Sequence, residues 1–262
     1  MQRLRRLLAR RSCRLAEGCF VAEGAKVLGE ALASGSRVES VYVDPGHAGP
    51  EIAALVGRCL DAGSRVFELD DGVLERVAGT VSPQPVLAIV GDVDITLEDL
   101  HARHADLVVV CADVRDPGNA GTVLRSAEAA GAGGVIVCEG SVDVYNPKTV
   151  RASAGAVFHI PVVVGGQVAS ILEALSGWGL HRVGAAARRG VDYTEMDLRR
   201  PFAMVIGNEA TGLSAAAEGG IDEWLNIPMV GRSESLNVGI TAAVVCFEAA
   251  RQRRSIGVGD RP

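Results

Sequence analysis

Between residues 107 and 228 the chain carries six short, mostly apolar runs, LVVVCA, GVIVC, PVVV, LHRVGAA, FAMVIG and WLNIP, separated by stretches with helical spacing. Runs of Val and Ile with little polar alternation describe strands buried on both faces, which is the mark of a largely parallel sheet covered by helices. The spacing predicts strands near 107–112, 134–138, 161–164, 180–186, 202–207 and 224–228, and helices near 119–131, 148–156, 168–177 and 236–252. The first third alternates too: AKVLGEALA, EIAALVGRCLDAG and GVLERVAG read as helices, and VESVYVD, RVFELD and VLAIVGDV as strands. A polar stretch, DVDITLEDLHARHAD, lies between these parts and places a linker near 92–104. The expected class is therefore α/β, a small unit followed by a larger one, without internal repeats.

With 262 residues, 48% of them hydrophobic, the chain can bury a sizeable core. Its longest apolar runs fall well short of the ~18–20 residues of a membrane span, and its arginine-rich start has no apolar segment behind it, unlike a secretory signal. A soluble, cytoplasmic protein is expected. Six cysteines (Cys13, Cys19, Cys59, Cys111, Cys138, Cys246) are scattered without a CxxC pair, a pattern of reduced core thiols, and no metal is assigned. Net charge hides an asymmetry. Residues 1–16 hold six arginines and no acid, so a chain of net charge −6 has a body, residues 17–262, of −12. This basic arm reads either as an RNA-contacting helix or as a solvated amphipathic helix with Leu4, Leu7, Leu8 and Leu15 inward.

Three segments put small or polar residues just past an apolar strand, the edge of an open α/β sheet where ligands sit. In PGNAGTVLRSAEAAGA, Asn119 can cap a helix and Arg125 lies about two turns in. FAMVIGNEATGLS ends a strand in Gly207, Asn208 and Glu209. In LNIPMVGRSESLNVGITAAVVCFEAARQR a strand ends at Pro228, a polar loop follows, and a long helix starts near Ser235 with Asn237 in its first turn. Each has a plain reading as a turn, a cap or a solvated loop; three in one domain argue for a shared site. A dinucleotide cradle is disfavoured, because GNAG lacks the third glycine and the acidic ribose ligand of that fingerprint.

In order and wording the three segments resemble the signature motifs of the SpoU (TrmH-type) RNA 2′-O-ribose methyltransferases of the SPOUT superfamily. DPGNAGTVLRSAEAAGAGGVIV is similar to the first motif, VIGNEATGLS to the second and IPMVGRSESLNVGITAAVVCFEAAR to the third, with VDVYNPKTVRASAGAVFHIPV similar to the connecting segment. FVAEGAKVLGEAL and TVSPQPVLAIV resemble the RNA-binding domain, similar to ribosomal protein L30e, that often precedes the catalytic one. With the basic arm that the charge marks over 1–16, the resemblance implies an L30e-like domain over 17–92 and a SpoU domain over 105–254. It also implies a deep trefoil knot across about 203–250, although knots are otherwise nearly absent from proteins.

The implied cofactor is S-adenosylmethionine, the implied partners are rRNA or tRNA and a second copy in a homodimer, and the implied reaction is methylation of a ribose 2′-hydroxyl, 23S rRNA first among targets. A tRNA methyltransferase or a noncatalytic RNA-binding protein that keeps the pocket are the alternatives. Carried onto this chain, backbone around Gly207, Asn208, Ile227 and Leu236 holds the cofactor, with Met229 and Ala186 nearby. Asn119, Arg125, Glu209, Ser235 and Asn237 line the reaction centre. Gly239 stands where the family often has Ser. Because a guanidinium stays protonated near neutrality, a fixed cation at Arg125 suits a developing alkoxide and a phosphate better than it suits a base. Glu209 is then the candidate proton acceptor, or the group that orients Arg125.

Overall fold

A computed structural model describes residues 1–78 and 84–256 and divides the chain into two compact units, 1–93 with 145–159, and 94–144 with 160–262. Residues 80–83 of TVSPQPVLAIV lie outside the described residues.

The first unit runs α1 (Gln2–Ala9), α2 (Arg11–Glu17), β1 (Cys19–Glu23), α3 (Ala25–Ala33), β2 (Val38–Val43), α4 (Pro50–Asp61), β3 (Arg65–Glu68), α5 (Val73–Ala78) and β4 (Val86–Gly91). Its sheet order is β1-β4-β2-β3, antiparallel except for the β2–β3 pair. Residues 1–16 are therefore two packed helices, not a free arm. Leu4 and Leu7 are fully buried against Val21, Leu74, Leu87 and Ile89, because an i, i+3 pair of leucines gives α1 one apolar face. Leu8 is half-buried, but Leu15, expected inward, is 60% exposed, and Arg14 is buried in its stead. Arg14 reaches back along the chain and donates to the carbonyl of Leu7, one of the orphan acceptors at the end of α1.

Residues 145–159 differ from their expected place in the second part. Their helix α8 (Pro147–Ser153) packs on β1; Phe20 stacks on Tyr145 and Phe158 at ring-centroid distances of 4.6 and 5.9 Å. Arg151 pairs with the buried Glu23, and His159 with Glu30 at 2.7 Å. The family-like wording of this segment thus serves the core of the first unit.

The second unit runs α6 (Leu97–Ala102), β5 (Leu107–Cys111), α7 (Pro117–Ala129), β6 (Gly134–Val137), β7 (Val162–Val164), α9 (Val168–Gly177), β8 (His181–Ala185), β9 (Val191–Asp192), β10 (Phe202–Ile206), α10 (Ala215–Glu218), β11 (Glu223–Asn226) and α11 (Val238–Ile256). Seven strands form one sheet in the order β7-β6-β5-β10-β8-β11-β9, every pair parallel. The six expected strands are present within a residue or two, and β9, two residues long, is the one added. β5 and β10 are buried at every position, as strands covered on both faces must be. Val108 and Val110 face a core with Leu172 and Leu175 of α9, while α7 and α11 pack on each other and on β6 and β10. Among the described residues no helix is long and apolar enough to cross a membrane.

Candidate functional site

The C-terminal ends of β8, β10 and β11 open into a cavity of about 470 Å³, lined from Ala185 to Arg189, from Ile206 to Leu213, by Trp224, Ile227 and Met229, and by Glu234, Ser235, Leu236, Val238 and Thr241. Gly207, Asn208, Ile227, Met229, Leu236 and Ala186, the residues expected to hold a cofactor, all lie on its wall, as do Glu209 and Ser235. The site follows from the topology: parallel strands end on one edge, and the loops that leave them diverge there. The loop after β10 is locally rigid. Asn208 exchanges backbone hydrogen bonds with Gly212 at 2.9 Å, and its Oδ1 accepts from the amides of Ala210 and Thr211 at 2.9 and 3.2 Å. A Cβ on Gly207 would sit 2.4 Å from the Gly212 carbonyl oxygen, so only glycine permits this fold of the loop.

Asn119 is not the helix cap. Asp116 caps α7, accepting from the Asn119 amide at 2.8 Å, with Pro117 in the first turn. That frees the Asn119 side chain, which donates from Nδ2 to Glu209 Oε1 at 2.8 Å and accepts at Oδ1 from Asn237 Nδ2 at 2.7 Å. Asn237 Oδ1 in turn accepts from the amides of Gly239 and Ile240 at the start of α11. Three residues drawn from three segments, 119, 209 and 237, are thereby joined in one chain of hydrogen bonds that fixes the Glu209 carboxylate at the cavity wall. Gly239 has its own reason: a Cβ there would meet Thr122 at 2.9 Å, so glycine lets α11 close on α7.

Arg125 is not part of this chain. Its side chain is exposed on α7, and it makes no hydrogen bond or ion pair with any described residue. Ser235, exposed on the cavity rim, is also without a hydrogen-bond partner there.

The sequence reading missed a charged rim. Arg189 lies 3.5 Å over the Trp224 ring and pairs with Glu218 at 2.5 Å; Arg188 reaches Glu234 at 3.1 Å. The signal was available, since ARRG follows β8 as the motif loops follow their strands. A supporting residue was missed too. Asp113, with φ +72°, follows β5 in the left-handed region, and the buried Ser141 hydroxyl accepts from the amides of Asp113 and Val114 while donating to Cys111. Asn208 Nδ2 donates to the Asp113 carbonyl at 3.3 Å, tying that turn to the cavity loop.

All six cysteines are free, five of them buried, and burial pushes Cys138 and Cys246 up to about 12 and raises Cys111 as well. Among the described residues Asp44, His47 and Asp71 bring donor atoms within 4.8 Å of one another. His47 Nδ1 holds Asp44 at 2.9 Å, an ion pair that accounts for the cluster.

Residues 106–247 match the SpoU rRNA Methylase family, and residues 1–88 match the MRM3-like substrate binding domain. The chain is 32% identical over 228 residues to the 23S rRNA (guanosine(2553)-2′-O)-methyltransferase RlmP of Bacillus subtilis, covering 87% of each. It is 32% identical over 259 residues to the 23S rRNA (uridine(2479)-2′-O)-methyltransferase of Streptomyces viridochromogenes, covering 97% of this chain and 90% of that one. The crystal structure of the SpoU methyltransferase AviRb from the same organism, in complex with the cofactor AdoMet, superposes with a TM-score of 0.86 at 30% identity over 97% of both chains. The parallel sheet, the loops that join Asn119, Glu209 and Asn237, and these likenesses over nearly the whole length make the chain a member of the SpoU rRNA methylase family.

Proposed function

We infer that the chain methylates a ribose 2′-hydroxyl of ribosomal RNA, 23S rRNA by preference, with S-adenosylmethionine as donor. The observation that carries this reading is the Glu209 carboxylate, held by Asn119, itself braced by Asn237, on the wall of a cavity whose other walls suit that cofactor. The volume of about 470 Å³ lies in the range of small-molecule sites. Ile206, Leu225, Ile227 and Trp224 offer an apolar bed for adenine, and the backbone of the tight 207–212 loop offers amides and carbonyls to its edge. Three carboxylates, Glu209, Glu218 and Glu234, face two guanidiniums, Arg188 and Arg189, so the rim carries a net −1 that complements a cofactor of net +1.

When bound, the cofactor supplies an electrophilic methyl carbon on a sulfonium. The 2′-oxygen bonds to that carbon as the carbon–sulfur bond breaks, and the hydroxyl proton passes to Glu209, directly or through a water. Asn119 donates to Glu209 and keeps its carboxylate from rotating away from the ribose. Asn237 holds the Asn119 side-chain amide in the orientation this needs, Ser235 closes the rim, and Arg125 stabilises the developing alkoxide and grips the neighbouring phosphate. Positioning of this kind lowers a barrier by up to roughly 7–11 kcal/mol in favourable cases.

Arg125 pairs with no described residue of its own chain, and α11 shows Ile240 and Phe247, 47% and 46% exposed, two turns apart on one face. Both features support a homodimer formed on α7 and α11, in which Arg125 of one protomer completes the site of its partner. Loops 206–213 and 234–241 enclose one cavity, which supports the knotted path of the C-terminal segment across about 203–250. The first unit, residues 1–93 with 145–159, serves as the L30e-like domain that binds RNA in the cytoplasm.

Calorimetry with S-adenosylmethionine, followed by methyl transfer to 23S rRNA and to tRNA transcripts with nucleoside mass spectrometry, tests the reading. Micromolar cofactor binding and a 2′-O-methyl nucleoside in 23S rRNA are expected. Binding without transfer to any RNA would leave a noncatalytic RNA-binding protein, and transfer to tRNA alone would move the target. Arg125→Ala keeps cofactor affinity and loses most turnover; undiminished turnover removes its role.

A further inference from the structure

Six arginines and no acid occupy residues 1–16, and folding uses them unequally. Arg3 is clamped by Glu17 and Glu39, each at 2.5 Å; Arg14 is buried on the end of α1; Arg6 stands 3.8 Å from Glu17. Arg5, Arg10 and Arg11 are exposed, and their guanidiniums make no hydrogen bond or ion pair with any described residue. Burial of Leu4 and Leu7 fixes which side of α1 is inward, so Arg5 is held outward rather than carried on a loose tail. Leu15, 60% exposed, stands one turn after Arg11 on the same face of α2. A single exposed leucine needs no explanation. Here it shares a face with the unpaired Arg11, where an apolar contact for a ribose or base edge accompanies a phosphate-binding group.

We propose that the outer face of α1 and α2 is a phosphate-binding surface for the RNA substrate, with Arg5, Arg10 and Arg11 as its cations and Leu15 as its apolar contact; this rests on the RNA reading given above. The rest of the chain carries −12, so a polyanion meets repulsion elsewhere and three unneutralised guanidiniums within seven residues of a folded helix pair here. Each phosphate neutralised releases counterions, which gives the surface a measurable signature in salt.

The test compares the full-length protein with Arg5→Gln/Arg10→Gln/Arg11→Gln, with a control triple of other exposed arginines, Arg37→Gln/Arg58→Gln/Arg76→Gln, and with Leu15→Ser. Binding to 23S rRNA transcript is measured across 50–200 mM salt. The first triple is expected to lose tenfold or more in affinity and to flatten the slope of log K against log salt by about 2, as three phosphate contacts predict, with cofactor affinity and thermal midpoint unchanged. The control triple should keep most of the slope, and Leu15→Ser should weaken binding severalfold with the slope intact. Equal losses in both triples would mean diffuse electrostatics and overturn the surface, as would a first triple that behaves like the wild type. Loss of binding to anionic vesicles with RNA binding intact would assign the face to a membrane and also overturn it. If the unaltered protein binds and methylates no RNA, it is the functional reading that fails.

Discussion

The two units solve opposite problems with the same kinds of element. The second closes seven parallel strands under helices, and its polar residues gather where β8, β10 and β11 end, facing inward to a cavity. In the first, a four-stranded, mainly antiparallel sheet is hemmed by ion pairs such as Arg3–Glu39 and Arg65–Glu39, and its unpaired charges point outward from α1 and α2. A parallel sheet makes a concave edge as a matter of topology, and small molecules lodge there. The helical flank of the first unit offers exposed, unpaired arginines, which suit a polyanion. If that division holds, changes in one unit should spare the other's function.

The strongest break is Gly207→Ala. A Cβ 2.4 Å from the Gly212 carbonyl oxygen forces the 207–212 loop open, so cofactor affinity should fall more than a hundredfold by calorimetry while RNA binding by the first unit persists. Loss of both together would mean that the units do not divide the work. Glu209→Gln comes next. It keeps a partner for Asn119 but takes away the proposed proton acceptor, and turnover should drop 10²–10³-fold with cofactor affinity within a few-fold of wild type. A stability change sharpens the comparison from the other side: Leu4→Ala opens a cavity under α1 and should cost the first unit roughly 2–5 kcal/mol, seen in denaturant melts, with cofactor affinity at 25 °C unchanged.

How much of this the sequence carries also differs between the units. Buried parallel strands leave unbroken apolar runs, so β5, β6, β10 and their neighbours are legible in the sequence, and so are the loops that follow them. The path of residues 145–159 is not legible, because NPKTVRASAGAVF reads as an ordinary helix and only the stacking of Phe20 on Tyr145 and Phe158 shows what it covers. The exchange of Arg14 for Leu15 escapes for a related reason. Helical periodicity assumes that leucines go in, but two orphan-bearing helix ends in succession place a premium on a donor, and Arg14 reaches the Leu7 carbonyl from inside. At the site, spacing identifies Glu209 and Asn237 as neighbours of one strand edge; it cannot say that Asn119 bridges them, because Asp116 takes the capping role that would otherwise occupy it. Gly239 reads as a departure from its relatives until Thr122 is seen against it.

Thiol labelling yields a smaller effect. Cys111, Cys138 and Cys246 lie in the second unit, where burial raises their pKa, with Cys138 and Cys246 at about 12, so the thiolate that reacts is scarce. Iodoacetamide at pH 8 should modify Cys13, half-buried in the first unit, well before these three. Equal rates would mean that the parallel sheet opens as readily as the helical flank.

The smallest expected effect lies at the back of the second unit. Asp222 takes paired hydrogen bonds from Arg182, Nη2 to Oδ1 at 2.5 Å and Nε to Oδ2 at 2.8 Å, plus the Arg182 amide at 2.8 Å. The guanidinium holds its carboxyl down at about 2, below the ordinary ~3.9 of an aspartate. A depressed carboxylate stabilises the fold in full above its unfolded pKa and loses that contribution as pH falls toward its folded one. The pair is partly solvated, so its worth is about 1 kcal/mol rather than the whole shift. Asp222→Asn should therefore lower stability by about 1 kcal/mol at pH 7, and the gap between wild type and variant should close between pH 4 and pH 2 in parallel denaturant melts. Many carboxylates titrate in that window, but the difference between two chains alike in all but one group isolates this one. A gap that stays constant with pH would assign the loss to packing beside His181 and Glu223 instead of to the charge on Asp222.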